Sequence, residues 1–146
     1  MSDFRKLSDS FLASPQISVD DIAEAAAMGV TLVINNRPDG EAPDQPEGAE
    51  IEAAARAAGM DYVAIPVTSA GFSEPQVAAL TEALAKTTGP VLGFCRSGTR
   101  STLLWSLAQA SKGVDPDSIA DAAQAAGYDV GPVRPAMDML AARSRG

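Results

Sequence analysis

The sequence predicts an α/β fold with three layers, in which helices cover both faces of a central, mostly parallel sheet. The first observation is that short aliphatic runs alternate with alanine-rich helical stretches along the chain. Strands that alternate with helices form right-handed βαβ units, and such units build a parallel sheet. The second observation is length, because 146 residues without a long linker have the size of one globular domain. We therefore predict a single domain over residues 1–146.

The first half of the chain contains two predicted helices, and a strand follows each of them. Ser18 and Asp21 have the spacing of a capping box, in which the serine side chain accepts from the third helical amide and the acid reaches back. This helix is predicted to run to about Met28 and to end at Gly29, because glycine tolerates the left-handed conformation that closes helices. The other elements predicted here are a β-branched strand at 30–34, a proline- and glycine-rich loop at 35–48, a helix at 49–58 and a strand at 62–65.

The second half of the chain repeats this pattern around its one cysteine. Ser73 and Gln76 have the same capping-box spacing before a helix that is predicted to end near Thr88. A strand at 90–94 then leads directly into Cys95. The remaining predicted elements are a helix at 101–110 and two helices that start at Asp115-Pro116 and Gly131-Pro132, since proline is well tolerated in a first turn.

The absence of histidine and the single cysteine exclude many enzyme classes. The chain contains no histidine and one cysteine. A Ser-His-Asp triad, a Cys-His pair and an imidazole-based zinc site are therefore excluded. One cysteine also excludes an intramolecular disulfide, a CxxC redox pair and a cysteine-cage metal centre. We predict that the protein uses no cofactor and no metal.

The charge of the chain argues against two classes of partner. Eleven basic and nineteen acidic residues give a net charge of −8, which repels nucleic acid and anionic membranes. No apolar run approaches the roughly 20 residues of a membrane span, and the first residues lack the apolar stretch of a secretory signal. We expect a soluble, cytoplasmic protein that binds neither nucleic acid nor membranes.

The segment from Cys95 to Ser101 is the strongest candidate for chemistry. It places a thiol between a strand and a helix, where unpaired amides and the helix dipole attract anions and stabilise a thiolate. Gly98 lets the backbone curl so that successive amides point inward, and Arg100 can bind two oxygens of a tetrahedral anion. The alternatives are a cysteine that only fills the core and a turn that binds phosphate without attacking it.

This segment resembles the strand-cysteine-loop-arginine-helix unit of cysteine-dependent phosphatases and rhodanese sulfurtransferases. Together with INNRPDGE at 34–41, IPV at 65–67 and CRSGTRSTLLW at 95–105, it makes the chain similar to the phosphatase-like domain of beta-lactamase-hydrolase-like proteins. The resemblance covers about residues 7–107. It implies a dual-specificity-phosphatase-like fold. In bacteria this family occurs alone or fused to a metallo-hydrolase of sulfide metabolism, so such an enzyme is an expected functional partner.

The resemblance also implies roles for individual residues. Cys95 is expected to be the nucleophile and Arg100 the clamp on the oxyanion, with the amides from Arg96 to Arg100 cradling a small anionic substrate. The Ser101 hydroxyl is expected to help the thiolate leave in the second step. In a phosphatase, the cysteine attacks phosphorus and water hydrolyses the resulting cysteinyl-phosphate. The predicted anion-binding set is Arg37, Arg96, Ser97, Gly98, Thr99 and Ser101.

The chain departs from the phosphatase pattern at two places, the cysteine loop and the general acid, and the first of these favours a competing interpretation. Four residues separate Cys95 from Arg100, where the phosphatase signature has five, and Phe94 stands where that signature has histidine. The shorter loop is the rhodanese pattern, in which cysteine carries a persulfide. A rhodanese-type sulfurtransferase with a persulfide on Cys95 is therefore the alternative to a phosphatase, and a non-catalytic phosphate-binding module is the third hypothesis.

The second departure concerns the general acid that protonates the leaving oxygen. Residues 67–73, where dual-specificity phosphatases carry an aspartic acid, contain no carboxylate. Asp39, Glu41 and Asp44 lie in the neighbouring loop at the same predicted sheet edge. We take Asp39 as the preferred candidate, against the alternative that these acids are solvated loop residues. Arg37 faces the same crevice and is predicted to bind substrate, with a surface ion pair as its alternative.

Overall fold

One five-stranded sheet forms the centre of the molecule in the computed structural model, which describes residues 2–145. The strand order is β1-β2-β5-β3-β4. β1 pairs antiparallel with β2, and the β2–β5, β5–β3 and β3–β4 pairs are parallel. The strands are β1 Arg5–Ser8, β2 Phe11–Ser14, β3 Leu32–Asn35, β4 Asp61–Ala64 and β5 Val91–Phe94.

Helices cover both faces of this sheet and complete three layers. They are α1 Val19–Ala27, α2 Gly48–Ala57, α3 Glu74–Lys86, α4 Thr99–Ser111, α5 Pro116–Ala125 and α6 Arg134–Arg145, with a short 3₁₀ turn at Gly131–Val133. Both predicted capping boxes are present, at the first residues of α1 and α3. The predicted α/β architecture with a mostly parallel sheet is confirmed.

The side chains of the sheet alternate between two hydrophobic cores. Along β3, Val33 packs into the core under α1 and α2, and Ile34 packs into the larger core on the opposite face. That larger core contains Trp105 from α4, whose ring lies 6.1 Å from the ring of Phe11. α4 is buried on nearly every side, as expected for a helix enclosed by other elements. None of the helices in the part of the chain described is long and apolar enough to cross a membrane.

The four parallel strands bring the loops that follow them to one edge of the molecule. Asn35 lies opposite Phe94 in the β3–β5 pair and opposite Ala64 in the β3–β4 pair, so the three strands end at the same level. β2 is also parallel to β5, and Ser14 ends it opposite Phe94. The loops that follow these strands therefore meet at the carboxyl edge, where open α/β sheets bind ligands.

Candidate active site

Cys95 follows β5 directly and lies just before the first turn of α4. Its side chain is completely buried, and its backbone N–H donates to the Ser14 carbonyl at 3.3 Å. The Gly98 N–H donates to Cys95 Sγ at 3.1 Å. Sγ therefore lies at the positive end of the α4 dipole and accepts a hydrogen bond from a loop amide, which are the two features that stabilise a thiolate or a bound anion.

The shape of the loop depends on a glycine at position 98. Gly98 has φ +90°, in the left-handed region, and a Cβ there would lie 2.1 Å from Tyr128 Oη. The Tyr128 hydroxyl donates to the Ser97 carbonyl at 3.1 Å. The need for glycine at position 98 was predictable from the sequence. The role of Tyr128 was not, because this tyrosine lies thirty residues further along the chain and contacts the loop only in the folded protein.

The polar side chains of residues 96, 97 and 99 are exposed to solvent. Ser97 Oγ donates to Thr99 Oγ1 at 2.9 Å, and both residues are exposed, as is Arg96. Thr99 begins α4, two residues before the predicted start, so Arg100 and Ser101 stand in its first turn. The Gly98 amide therefore points inward to Cys95, whereas the Ser97 and Thr99 hydroxyls face solvent and the Thr99 N–H donates to Ser97 Oγ at 3.4 Å.

Ser101 ties the loop to the neighbouring strand rather than to the cysteine. Its hydroxyl is buried and donates to Asn36 Oδ1 at 2.8 Å. The Asn36 Nδ2 group donates to the Ile65 carbonyl at 2.9 Å. Because a carbonyl can only accept, this contact fixes the orientation of the amide, and the Ser101 proton is used on Asn36. Asn36 was not among the predicted residues; its position directly after a buried strand was the available signal.

Arg100 is held in a two-pronged ion pair with Glu41. Arg100 Nη1 lies 2.7 Å from Glu41 Oε2, and Arg100 Nη2 lies 2.8 Å from Glu41 Oε1. Nη1 also donates to the Val67 carbonyl at 2.7 Å. This is the fork geometry in which guanidinium groups bind carboxylates and phosphates. Arg100, the predicted oxyanion clamp, therefore binds a carboxylate of the chain itself.

Arg37 binds the same carboxylate from the other side. Arg37 Nε donates to Glu41 Oε1 at 2.9 Å, and Nη1 donates to Gln16 Oε1 at 3.0 Å. The Arg37 side chain is only 5% exposed. Hydrogen bonds from Arg100, and then from Arg37, lower the pKa of Glu41 from 4.5 to about 2. The two arginines predicted to hold an anion are brought together, and Glu41 stands between them as a carboxylate.

Asp39, the preferred candidate for a general acid, has a different contact. Its residue is exposed, and Oδ1 accepts from the Gly48 N–H at 2.8 Å. Gly48 is the first residue of α2, and the preceding Glu47 makes no side-chain cap of its own. Asp39 therefore supplies the missing cap of α2 from within the loop.

The comparisons with known proteins identify the family. Residues 3–112 match the family described as the beta-lactamase hydrolase-like protein, phosphatase-like domain. The chain belongs to this family. It is 36% identical over 126 residues to the beta-lactamase hydrolase-like protein of Xylella fastidiosa, across 86% of this chain and 29% of that protein. The chain thus spans less than a third of the length of the curated relatives it matches.

Comparisons with solved structures identify the fold. A crystal structure of a candidate phosphatase from Neisseria meningitidis shares 33% identity with a TM-score of 0.83, covering 96% of this chain and 99% of that one. PTPMT1 superimposes with a TM-score of 0.74 at 11% identity, covering 97% and 98% of the two chains, and Tk-PTP gives the same score at 16% identity. The fold is that of the protein tyrosine and dual-specificity phosphatases. Family and fold together support a phosphatase-like enzymatic function.

Proposed function

We propose that this domain is a cysteine-dependent phosphatase in which the Cys95 thiolate is the nucleophile. The observation that carries the proposal is the contact between the Gly98 N–H and Cys95 Sγ at 3.1 Å, at the first turn of α4. A nucleophilic cysteine requires donors aimed at its sulfur and at the oxygens that surround the reacting phosphorus. Arg100 and Arg37 stand at the same edge and add positive charge.

The reaction proceeds in two displacements at phosphorus. The Cys95 thiolate attacks the phosphorus atom, an S–P bond forms, and the P–O bond to the alcohol breaks with its electron pair on the leaving oxygen. Water then attacks the cysteinyl-phosphate, the S–P bond breaks, and inorganic phosphate leaves while the thiolate is restored. The loop amides and the Arg100 guanidinium stabilise the charge on the phosphoryl oxygens in both steps.

Substrate binding requires Glu41 to leave the arginines. Both terminal nitrogens of Arg100 contact its carboxylate, so a phosphoryl group binds Arg100 by replacing Glu41. Cys95 is also completely buried, and a substrate reaches Sγ only after a neighbouring segment moves. The loop at 36–47, which carries Glu41, is the segment that an entering phosphate displaces.

The preferred substrates follow from the positions of the carboxylates at this edge. Residues 67–73, where dual-specificity phosphatases carry the acid, contain no carboxylate, and Asp39 Oδ1 accepts from the Gly48 N–H at the start of α2. The domain therefore lacks a general acid in the position that those phosphatases use, and general acids contribute about 10²–10⁴-fold to such reactions. Phenolic esters, whose leaving groups depart without prior protonation, are therefore expected to be better substrates than alkyl phosphates.

The test is turnover of p-nitrophenyl phosphate and phosphotyrosine by the wild-type chain and by Cys95→Ser. We expect turnover by the wild type and a loss of about 10⁴-fold or more in the variant, because removal of a nucleophile leaves only binding effects. Thermal unfolding of the two proteins should coincide within a few degrees, since serine is close in size. Full turnover by Cys95→Ser would refute the mechanism.

A sulfurtransferase is the second candidate, favoured by the four-residue spacing between Cys95 and Arg100 and by the absence of a carboxylate from residues 67–73. In that reaction the thiolate attacks the outer sulfur of thiosulfate, the S–S bond breaks, and sulfite leaves with the electron pair. Intact mass after incubation with thiosulfate tests it. A one-sulfur adduct that cyanide removes, absent from Cys95→Ser, would favour sulfur transfer. Phosphate binding by both proteins, with neither turnover nor adduct, would indicate a binding module.

A further inference from the structure

Tyr128, which lies just after α5, contacts the cysteine loop. Its residue is 7% exposed, and its backbone N–H donates to the Ala123 carbonyl at 2.9 Å, just beyond the end of α5. The Arg5 guanidinium lies 5.1 Å from the centre of its ring, a cation–π distance. The ring is thus held from two sides, and its hydroxyl reaches the Ser97 carbonyl at 3.1 Å.

The Ser97 carbonyl and the Gly98 N–H belong to the same peptide group. None of the peptide bonds that the structure describes is cis, and in a trans peptide the C=O and N–H point in opposite directions. A donor that fixes the Ser97 oxygen on one side therefore fixes the Gly98 hydrogen on the other, where Cys95 Sγ accepts it at 3.1 Å. Hydrogen bonds in such a chain also strengthen one another.

A second orientation of this peptide would destabilise the Cys95 thiolate. Rotation of the 97–98 peptide would turn a carbonyl oxygen toward Sγ and remove the donor from it. Such a rotation reverses the sign of φ at position 98, and glycine adopts both signs at similar cost. The residue that allows the loop to curl therefore also allows it to flip, so the orientation must be held by a contact outside the backbone.

We infer that Tyr128 is a positioning residue, whose hydroxyl holds the 97–98 peptide with its N–H directed at Cys95. The catalytic part of this inference rests on the proposed function, and the part that concerns the thiolate does not. Burial raises the pKa of Tyr128 above its ordinary value of 10.0, so the phenol keeps its proton at neutral pH and remains a donor.

The test is Tyr128→Phe, which removes the hydroxyl and keeps the ring. The matched control is Tyr62→Phe, since Tyr62 is the only other tyrosine; its hydroxyl accepts from Asn35 Nδ2 at 2.9 Å. The thiolate is titrated by its ultraviolet absorbance. Tyrosinate absorbs in the same range, so the Cys95 signal is obtained by subtracting the titration of the matching Cys95→Ser protein, with and without each tyrosine substitution; the chain has no other cysteine. We expect Tyr128→Phe to hold less thiolate at neutral pH, with its titration moved toward higher pH, and to lose about 10- to 100-fold in kcat/KM for p-nitrophenyl phosphate.

The outcomes separate this inference from the proposed function. If the wild type shows no turnover, the phosphatase proposal fails, and the titration still decides the role of Tyr128. A Tyr128→Phe titration that coincides with those of the wild type and Tyr62→Phe would overturn the inference. A fall in turnover with an unchanged titration would overturn it as well. Thermal unfolding monitors the fold, and for a variant with a lower Tm the readouts are taken well below its transition.

Discussion

Two loops meet at the carboxyl edge of the sheet, and they are built in opposite ways. The loop between β5 and α4 has four residues, 95–98, and its contacts to Sγ, Ser14 and Tyr128 run through backbone atoms. The loop between β3 and α2 has twelve residues, 36–47, and places Glu41 on two arginines through side-chain contacts. One is a short backbone cradle and the other is a longer polar segment.

The difference indicates a division of work between the two loops. A catalytic amide must already point at the reacting atoms, because reorientation during the reaction costs the stabilisation that it provides. The short loop meets this requirement through the left-handed Gly98 and the Tyr128 hydroxyl that binds the Ser97 carbonyl. A carboxylate on a guanidinium can be exchanged for a phosphate, since both bind the same fork. Substitutions in each loop separately should therefore have different effects on turnover, stability and phosphate binding.

The largest effect is expected from Gly98→Ala, with Gly40→Ala in the longer loop as its matched control. Both glycines have positive φ, +90° and +80°, so alanine costs about 1–2 kcal/mol at either position from backbone strain alone. Only position 98 adds a collision, because its Cβ would lie 2.1 Å from Tyr128 Oη and nothing lies within 4 Å at position 40. Gly98→Ala should lose about 10²-fold or more in kcat/KM and be the less stable of the two.

Urea unfolding and p-nitrophenyl phosphate turnover measure these two quantities. Equal losses of stability at the two positions would mean that the contact between Tyr128 and the loop is not tight. Strong loss of turnover in Gly40→Ala with little loss in Gly98→Ala would reverse the division of work between the two loops.

A smaller effect of opposite sign is expected from Glu41→Gln. Glutamine has no charge to hold the two arginines, so inorganic phosphate should bind without displacing a carboxylate. We expect its inhibition constant to fall about 3- to 10-fold, which corresponds to about 1 kcal/mol. Glu47→Gln is the matched control, since Glu47 lies in the same loop and makes no side-chain cap. Weaker phosphate inhibition in Glu41→Gln would mean that Glu41 positions Arg100 and does not compete with the substrate.

The two loops also differ in how far the sequence could predict them. The cysteine, the glycine and the start of α4 are neighbours in sequence, so local rules for helix termini and for glycine found the cradle. The contact between Glu41 and Arg100 joins residues 59 positions apart, and no local pattern encodes it. The sequence placed both residues at one edge but gave no reason to pair them, and the cap that Asp39 gives to Gly48 was missed for the same reason.

The fold shows the same limit at its first two strands, which were not predicted. β1 and β2 carry the sequences RKLS and FLAS, which lack β-branched residues and a clear alternation. β2 becomes a strand through its parallel pairing with β5, and β1 through its pairing with β2. Strand formation here is decided by neighbours in space, which override weak intrinsic propensity. Helices with capping boxes carry their own signals, and those at α1 and α3 were predicted within about two residues.

The smallest effect is expected in the acid stability of the longer loop. Arg100 and then Arg37 lower the pKa of Glu41 from 4.5 to about 2, so its carboxylate stabilises the folded state fully above about pH 4.5. This contribution is lost as the pH falls through about 2, because the folded protein then takes up the proton that the unfolded chain already holds. Wild type should exceed Glu41→Gln in unfolding free energy near neutral pH, and the difference should shrink below pH 4.5. Other carboxylates with lowered pKa values, such as Asp21, are common to both proteins and cancel in the comparison. A difference that stays constant down to about pH 2 would mean that Glu41 does not hold the arginines in solution, and the longer loop would then be open before any phosphate arrives.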